Sequence, residues 1–189
     1  KTIAAGEFQI SARRFVIATG SSPVIPPIPG LADVPYFTNE TIFDNKAPIA
    51  HLIVVGAGRT GLELAQAHRR LGSQVTVIDQ GRAIADEDPE LSVILLARLA
   101  AEGIALREDT RIKRISGTVG RMLVEVDGAE SGNVETIEGT AVLIAAGRKA
   151  NVADLGLDTA GIKVNGKVIK TNDGLRTTNK RVFAIGDAA

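Results

Sequence analysis

Six consecutive residues, Gly56-Ala57-Gly58-Arg59-Thr60-Gly61, are the first with chemistry to offer. They follow the apolar run Leu52-Ile53-Val54-Val55 and precede a helix-like stretch from about Thr60 to Leu71. In that setting each glycine has a separate task. Gly56 permits a tight turn, Gly58 lets a pyrophosphate approach the backbone, and Gly61 lets a helix pack closely on a sheet. The helix start adds free N–H groups and the positive end of its dipole, and Ala57, Arg59 and Thr60 lie within the same phosphate loop. A second strand, Gln74-Val75-Thr76-Val77-Ile78, ends at Asp79, twenty-three residues after Gly56. A carboxylate there accepts hydrogen bonds from an adenosine ribose, with Gln80 beside it. Strand, loop, helix and acid in this order point to a bound dinucleotide.

The charge of Asp79 also bears on which dinucleotide. A 2′-phosphate beside it would meet a repulsion of about 4 kcal/mol at ~4 Å and an effective dielectric near 20. The expectation is NAD type, with NADH favoured over NADPH by a factor of ~100 after solvent screening. Arg82, three residues on, is a cation that would soften that penalty.

Competing readings of the loop differ in what else they need. A short-chain dehydrogenase needs a tyrosine with a lysine four residues later, but the only tyrosine is Tyr36 and position 40 is Glu40. A methyltransferase that binds S-adenosylmethionine shares the loop and Asp79, and it stays open as an alternative. So does a stand-alone NAD-binding or redox-sensing module without catalysis. The two histidines, His51 and His68, read as structural, and no residue of the chain is assigned to catalysis or to a metal.

The elements that hold this loop read as follows. Residues 51–55, the helix after them, residues 74–79, a second helix and residues 104–106 give a β-α-β-α-β order, hence a parallel sheet. The second helix has Asp88 as N-cap, Pro89 at its first position and Glu90 in its first turn, with Leu91, Leu95 and Leu99 as its buried stripe. Gly61, Leu64, Ala67 and Leu71 make the inner face of the first. Arg111–Ile115, Arg121–Val126 and Val134–Glu138 then read as an antiparallel meander with glycine-rich turns. The fold class expected is α/β, a Rossmann-like parallel sheet with an antiparallel β-meander, of the three-layer type that binds FAD or NAD(P). Phe15-Val16-Ile17-Ala18-Thr19-Gly20 and Val142-Leu143-Ile144-Ala145-Ala146-Gly147 echo one another as apolar strands that end in small residues and glycine. Such an echo fits two related nucleotide-binding units, one interrupted by the other. Pro23-Val24-Ile25-Pro26-Pro27-Ile28-Pro29 reads as an extended linker between them, because proline removes backbone donors. The domains expected are 1–45 with 151–189, and 46–150. The last strand ends in a Gly186-Asp187 turn that would feed a helix, so the chain reads as a piece cut from a larger one.

The totals agree with such a domain. Of 189 residues, 44% are hydrophobic and 23% charged, and 22 basic side chains balance 22 acidic ones. Zero net charge and six aromatics leave no footprint for nucleic acid. No apolar run has the length of a membrane span. With no cysteine, a disulfide framework and a thiolate zinc site are excluded within this chain, and a cytoplasmic setting is the default.

Four segments together resemble a known family, the flavoprotein pyridine nucleotide-disulfide oxidoreductases, which includes dihydrolipoamide dehydrogenase, glutathione reductase and mercuric reductase. Ile17-Ala18-Thr19-Gly20-Ser21-Ser22-Pro23 resembles its Ala-Thr-Gly segment, and Gly56 to Glu63 its NAD(P) loop. Ala146-Gly147-Arg148 with Asn151 resembles its Gly-Arg-x-x-Asn segment, and Thr178 through Asp187 its second flavin motif. Residues 62–73 are most similar to mercuric reductases, whereas Asp79 fits an NAD-preferring, dihydrolipoamide-dehydrogenase-like member. The resemblance implies that Glu63 lies near the nicotinamide amide. It implies that Ala146 and Gly147 line the nicotinamide side and that Arg148 reaches the neighbourhood of both cofactors. Thr19 and Gly20 would touch FAD, and Gly186 and Asp187 would hold its ribityl or pyrophosphate region. The parent would pass hydride from NADH to FAD and then electrons to a disulfide or other acceptor, as a homodimer. Position 59 departs from the pattern: Arg59 stands where some relatives carry an aromatic or aliphatic gate. The family's first FAD loop, redox cysteine pair and C-terminal dimerisation domain are absent from the chain, so FAD is expected in the full-length parent and not in this piece.

Overall fold

The computed structural model describes residues 2–127 and 133–189. The glycine-rich turn expected at 128–132 lies outside the described residues. The chain divides into two compact units, Lys1–Ser22 with Arg148–Ala189, and Pro23–Gly147. This division falls at 22/23 and 147/148, beside the boundaries at 45/46 and 150/151 expected from the sequence. Residues 23–45 belong with the sheet that follows because Leu31 and Ile42 are buried in its cores, 1% and 4% exposed. The proline-rich stretch is thus packed and not a free linker: the Ile115 N–H donates to the Pro29 carbonyl at 2.9 Å.

The first unit opens with a hairpin, β1 (Thr2–Ala5) antiparallel to β2 (Phe8–Ser11). β3 (Phe15–Ile17) and β4 (Ser21–Pro23) follow.

The second unit contains β5 (Phe37–Thr38), β6 (His51–Val55), α1 (Arg59–Arg70), β7 (Gln74–Ile78), α2 (Pro89–Ala101), β8 (Ala105–Arg107), β9 (Ile112–Thr118), β10 (Arg121–Asp127), β11 (Val134–Gly139) and β12 (Ala141–Ile144). Five strands form a parallel sheet in the order β5-β12-β6-β7-β8. β9, β10 and β11 form an antiparallel sheet with β10 in the middle. Side chains alternate across a strand, and here the alternation separates two cores. Leu52, Val54, Val75, Val77 and Leu143 pack with Leu62, Leu64, Ala65 and Leu99 of the helices. Their neighbours Ile53, Val55, Ile78, Val142 and Ile144 pack with Ile115, Met122, Val124 and Val126 of the meander. The unit thus has three layers: helices, parallel sheet and meander. Each fully buried side chain of this kind contributes about 1.5–3 kcal/mol relative to exposure.

The helices are less buried than their patterns predict. In α1 the inner face is Gly61, Leu62, Leu64 and Ala65, while Ala67 is exposed and Leu71, just past the last turn, is 81% exposed. In α2 Leu99 is buried, but Leu91 and Leu95 are 66% and 37% exposed. Only the C-terminal half of α2 reaches the core. Its N-terminus is as expected: the Asp88 side chain accepts from the Glu90 and Leu91 N–H groups, and Pro89 is in the first turn. The two helix C-termini are joined at Glu102, whose carboxylate accepts from Arg70 at 2.8 and 3.0 Å, Arg98 at 2.7 Å and Gln66 at 3.1 Å.

The chain then returns to the first unit as β13 (Arg148–Ala150), β14 (Val164–Asn165), β15 (Val168–Ile169) and β16 (Val182–Ala184), with a 3-10 turn at Gly186–Ala188. β13 pairs with β4, and β16 lies parallel to β3, with Val182 opposite Phe15. Leu157, Ile162, Ile169, Val182 and Ala184 form this unit's core with Phe15 and Ile17. Among the described residues, no helix is long and apolar enough to cross a membrane.

Candidate functional site

The second unit carries a cleft of about 960 Å³ at the C-terminal ends of its parallel strands. Val55 and Gly56 end β6, Ile78 and Asp79 end β7, and Ala145, Ala146 and Gly147 end β12. The connections run outward from β6 through β7 to β8, while β12 and β5 lie on its other side. The cleft therefore sits where the strand order reverses, the place at which open α/β sheets bind ligands.

The three loop glycines are required for different reasons. Gly56 has a φ of +110°, and a Cβ there would overlap the Ala145 carbonyl oxygen. A Cβ on Gly61 would overlap the Gly56 carbonyl oxygen. Both are demanded by the fold. Gly58 is not: its φ is −77°, and a Cβ would meet nothing within 4 Å. The protein itself leaves that space open, beside the N-terminus of α1. That terminus has no side-chain cap and no acidic residue in its first turn, whereas α2 has both. An uncapped helix end with room before it presents N–H donors and partial positive charge to an anion.

Asp79 is half-buried and holds the other side of the loop. Its Oδ2 accepts the Ala57 N–H at 2.7 Å, and its Oδ1 accepts the Gly81 N–H at 2.9 Å. Each carboxylate oxygen can accept more than one hydrogen bond, so capacity remains for hydroxyl donors. Gln80 and Thr60 line the same cleft. Arg59 lines it too, with its guanidinium hydrogen-bonded to Glu87.

Two candidates lie elsewhere in this unit. Arg82 is not part of the cleft lining; it pairs with Glu108 at 3.4 Å and Asp109 at 3.5 Å. Glu63 lines a separate groove of about 260 Å³ between α1 and α2, with Leu62, Ile84 and Leu91. The cleft also contains residues that the motifs did not indicate. Pro26 to Pro29 form one part of its wall, and Thr110, Arg111, Ile112, Lys113 and Asp127 another. No local pattern marks them, because they reach the cleft through the meander and the packed proline segment.

The first unit gathers the remaining candidates into one polar cluster. The Ser21 hydroxyl donates to Asp187 Oδ2 at 2.5 Å, and Arg148 donates to the Ser21 hydroxyl at 2.6 Å and to its carbonyl at 2.5 Å. Arg148 Nε is 3.8 Å from Asp187. Thr19 donates to the Asn151 carbonyl at 2.6 Å, and Asn151 returns a side-chain N–H to the Thr19 carbonyl at 3.0 Å. Gly20 accepts the Asn151 N–H at 2.9 Å, and Gly186 precedes Asp187 in the 3-10 turn. Ser22 joins through Asn151 Oδ1 at 2.9 Å.

The histidines take structural places. His51 Nε2 lies 2.9 Å from the Thr76 hydroxyl, and burial lowers the pKa of the ring, partly countered by a hydrogen bond with the Glu138 backbone. His68 Nδ1 lies 3.0 Å from the Leu64 carbonyl, within its own helix. Among the described residues no group of acids and histidines could hold a metal ion.

Comparison with known proteins covers both units. The mercuric reductase of Lysinibacillus sphaericus is 36% identical over 98% of this chain, and that of Bacillus cereus 38% identical over 95%. The chain spans 34% and 28% of those proteins, about a third of their length. Among solved structures, the Cu(II) complex of the HOCl-induced flavoprotein disulfide reductase RclA from Escherichia coli matches 95% of the chain at 28% identity, with a TM-score of 0.82, and 41% of that protein is covered. The family profile described as pyridine nucleotide-disulphide oxidoreductase matches residues 1–189. A match along the whole chain, on a fold with both the three-layer unit and the interrupted one, leaves one conclusion: the chain belongs to the pyridine nucleotide-disulphide oxidoreductase family.

Proposed function

We propose that the cleft of the second unit binds NADH and that the chain is the central part of an FAD-dependent oxidoreductase. The open space at Gly58, in front of an uncapped helix and across from Asp79, carries this reading. The pyrophosphate would lie against the N–H groups that begin α1, and Asp79 would accept from the adenosine ribose. Gln80 and Thr60 would border the nucleotide. Ala146 and Gly147, in the cleft, are assigned to the nicotinamide half, and Glu63, in the neighbouring groove that shares Arg59 with the cleft, to its amide. Thr19, Gly20, Arg148, Gly186 and Asp187 are assigned to FAD.

NADH would supply a hydride to the flavin, which would pass electrons to a disulfide or other acceptor. The chain's own part is to hold and orient the dinucleotide. It has no cysteine, so any disulfide chemistry would belong to another segment. The names of the relatives, mercuric reductase and flavoprotein disulfide reductase, support an acceptor of that reach. The parent is read as a cytoplasmic homodimer. The engagement of Arg82 by Glu108 and Asp109 supports a preference for NADH, since the cation that would soften the charge of Asp79 is drawn to two acids.

Calorimetric titration of the chain with NADH and with NADPH tests the reading. Saturable binding with NADH tighter is expected. Absence of binding to either, in protein that melts cooperatively, would remove it.

A further inference from the structure

Resting on the reading of the cleft as a dinucleotide site, the charges around it single out one residue. Arg59 is paired with Glu87, and Lys113 with Asp127 at 2.7 Å. Arg82, outside the lining, is held by Glu108 and Asp109. Arg111 lines the cleft, is exposed, and has no side-chain hydrogen bond or ion pair among the described residues. Its backbone is fixed: the Asp127 N–H donates to the Arg111 carbonyl at 3.0 Å. The preceding residue is tied to the acid itself, because the Thr110 N–H donates to the Asp79 carbonyl at 2.8 Å. Among the described residues, Arg111 is therefore the uncompensated cation of the cleft lining, anchored one residue from a direct backbone bond to Asp79.

We propose that Arg111 is a specificity-determining residue that offsets Asp79 at the adenosine 2′ position and so sets how strongly NADH is preferred over a 2′-phosphorylated dinucleotide. A guanidinium has the fork geometry to bind a phosphate, and among the described residues no acid pairs with it. The preference is then a balance between Asp79 and Arg111, and the cation expected from the sequence, Arg82, takes no part.

The test measures Kd for NADH, NADPH and 2′,5′-ADP with the wild-type chain, Arg111→Gln and Arg82→Gln at one ionic strength. In Arg111→Gln the ratio of Kd for NADPH to Kd for NADH should rise about fivefold, the scale of a solvent-screened charge pair. The change should come through NADPH, and 2′,5′-ADP should weaken with it. Arg82→Gln should leave the ratio unchanged. Equal weakening of NADH and NADPH in Arg111→Gln would overturn the proposal, because the contact would then be to the part both share. So would an unchanged ratio, or a shift in Arg82→Gln instead. If the wild-type chain melts cooperatively yet binds none of the three, the dinucleotide reading itself fails and takes this proposal with it.

Discussion

The Asp79 carboxylate accepts the Ala57 N–H at 2.7 Å, joining the end of β7 to the middle of the glycine loop. The same side chain that would read a ribose therefore also shapes the phosphate site. A hydrogen bond from an N–H to a charged group contributes about 1.5–3 kcal/mol. Asp79→Ala should lower the melting temperature by several degrees and weaken NADH and NADPH together, while the preference between them narrows. Calorimetry on both nucleotides beside thermal unfolding checks this; a loss confined to NADH at unchanged stability would show that the loop does not depend on Asp79.

Gly56 and Gly58 should separate folding from binding. Gly58→Ala puts a methyl group into open space, so its cost to stability should be that of a poorer helix cap, about 1 kcal/mol. NADH affinity should fall at least tenfold, because the methyl occupies the approach of the phosphates. Gly56→Ala drives a Cβ into the Ala145 carbonyl at a φ of +110° and should destabilise the unit by more than about 2 kcal/mol. Denaturant melts and titrations of the two variants give the comparison, and equal stabilities would contradict it.

Glu102 should control part of the acid sensitivity. Hydrogen bonds from Arg70, and next from Arg98, hold its carboxyl at about 2 despite partial desolvation. A depressed folded pKa gives stability that is complete above the ordinary carboxylate range and is lost as pH falls toward about 2. Glu102→Gln should melt a few degrees lower at neutral pH and show a shallower decline between pH about 4.5 and about 2. Parallel pH–Tm curves for the two proteins would argue against the clamp.

His51 contributes in a higher window. Burial lowers its pKa below the ordinary 6.5, so the unfolded chain binds the proton more readily. Its stabilising contribution is full above about 6.5 and declines as pH falls through the lowered value. Wild-type Tm should drop between pH about 7 and about 5 more than that of His51→Gln, as followed by circular dichroism.

The legible parts of the site were those written into one stretch of chain. Gly56, Gly58, Gly61 and Asp79 act through spacing within one β-α-β unit, and spacing is visible in a sequence. The partners of Asp187 were not: Ser21 lies 166 residues away and reaches it only because β3 and β16 pair. Arg111 and Lys113 had no motif because the meander, not the loop, brings them to the cleft. Leu91 and Leu95 show a different limit. α2 is apolar on several sides, with Val93 and Ile94 also about two-thirds exposed, so a leucine period could not identify the face that meets the core. The strands were plainer, since continuous runs such as Leu52 to Val55 are buried on both faces and need no choice of side.

The pairing of Phe15 with Val182 joins strands near opposite ends of the sequence, while every partner of β6 lies within Pro23–Gly147. During synthesis the inner stretch has all of its strands before β16 emerges. The outer unit must keep β3 waiting until more than 160 further residues have been made. Loop-closure entropy grows only slowly with length, so the delay costs little equilibrium stability. It does set an order of assembly, in which the ribosome releases a finished inner body whose flanks are still unpaired. In that interval β3, with Val16 exposed even in the final fold, is the edge most open to a wrong neighbour.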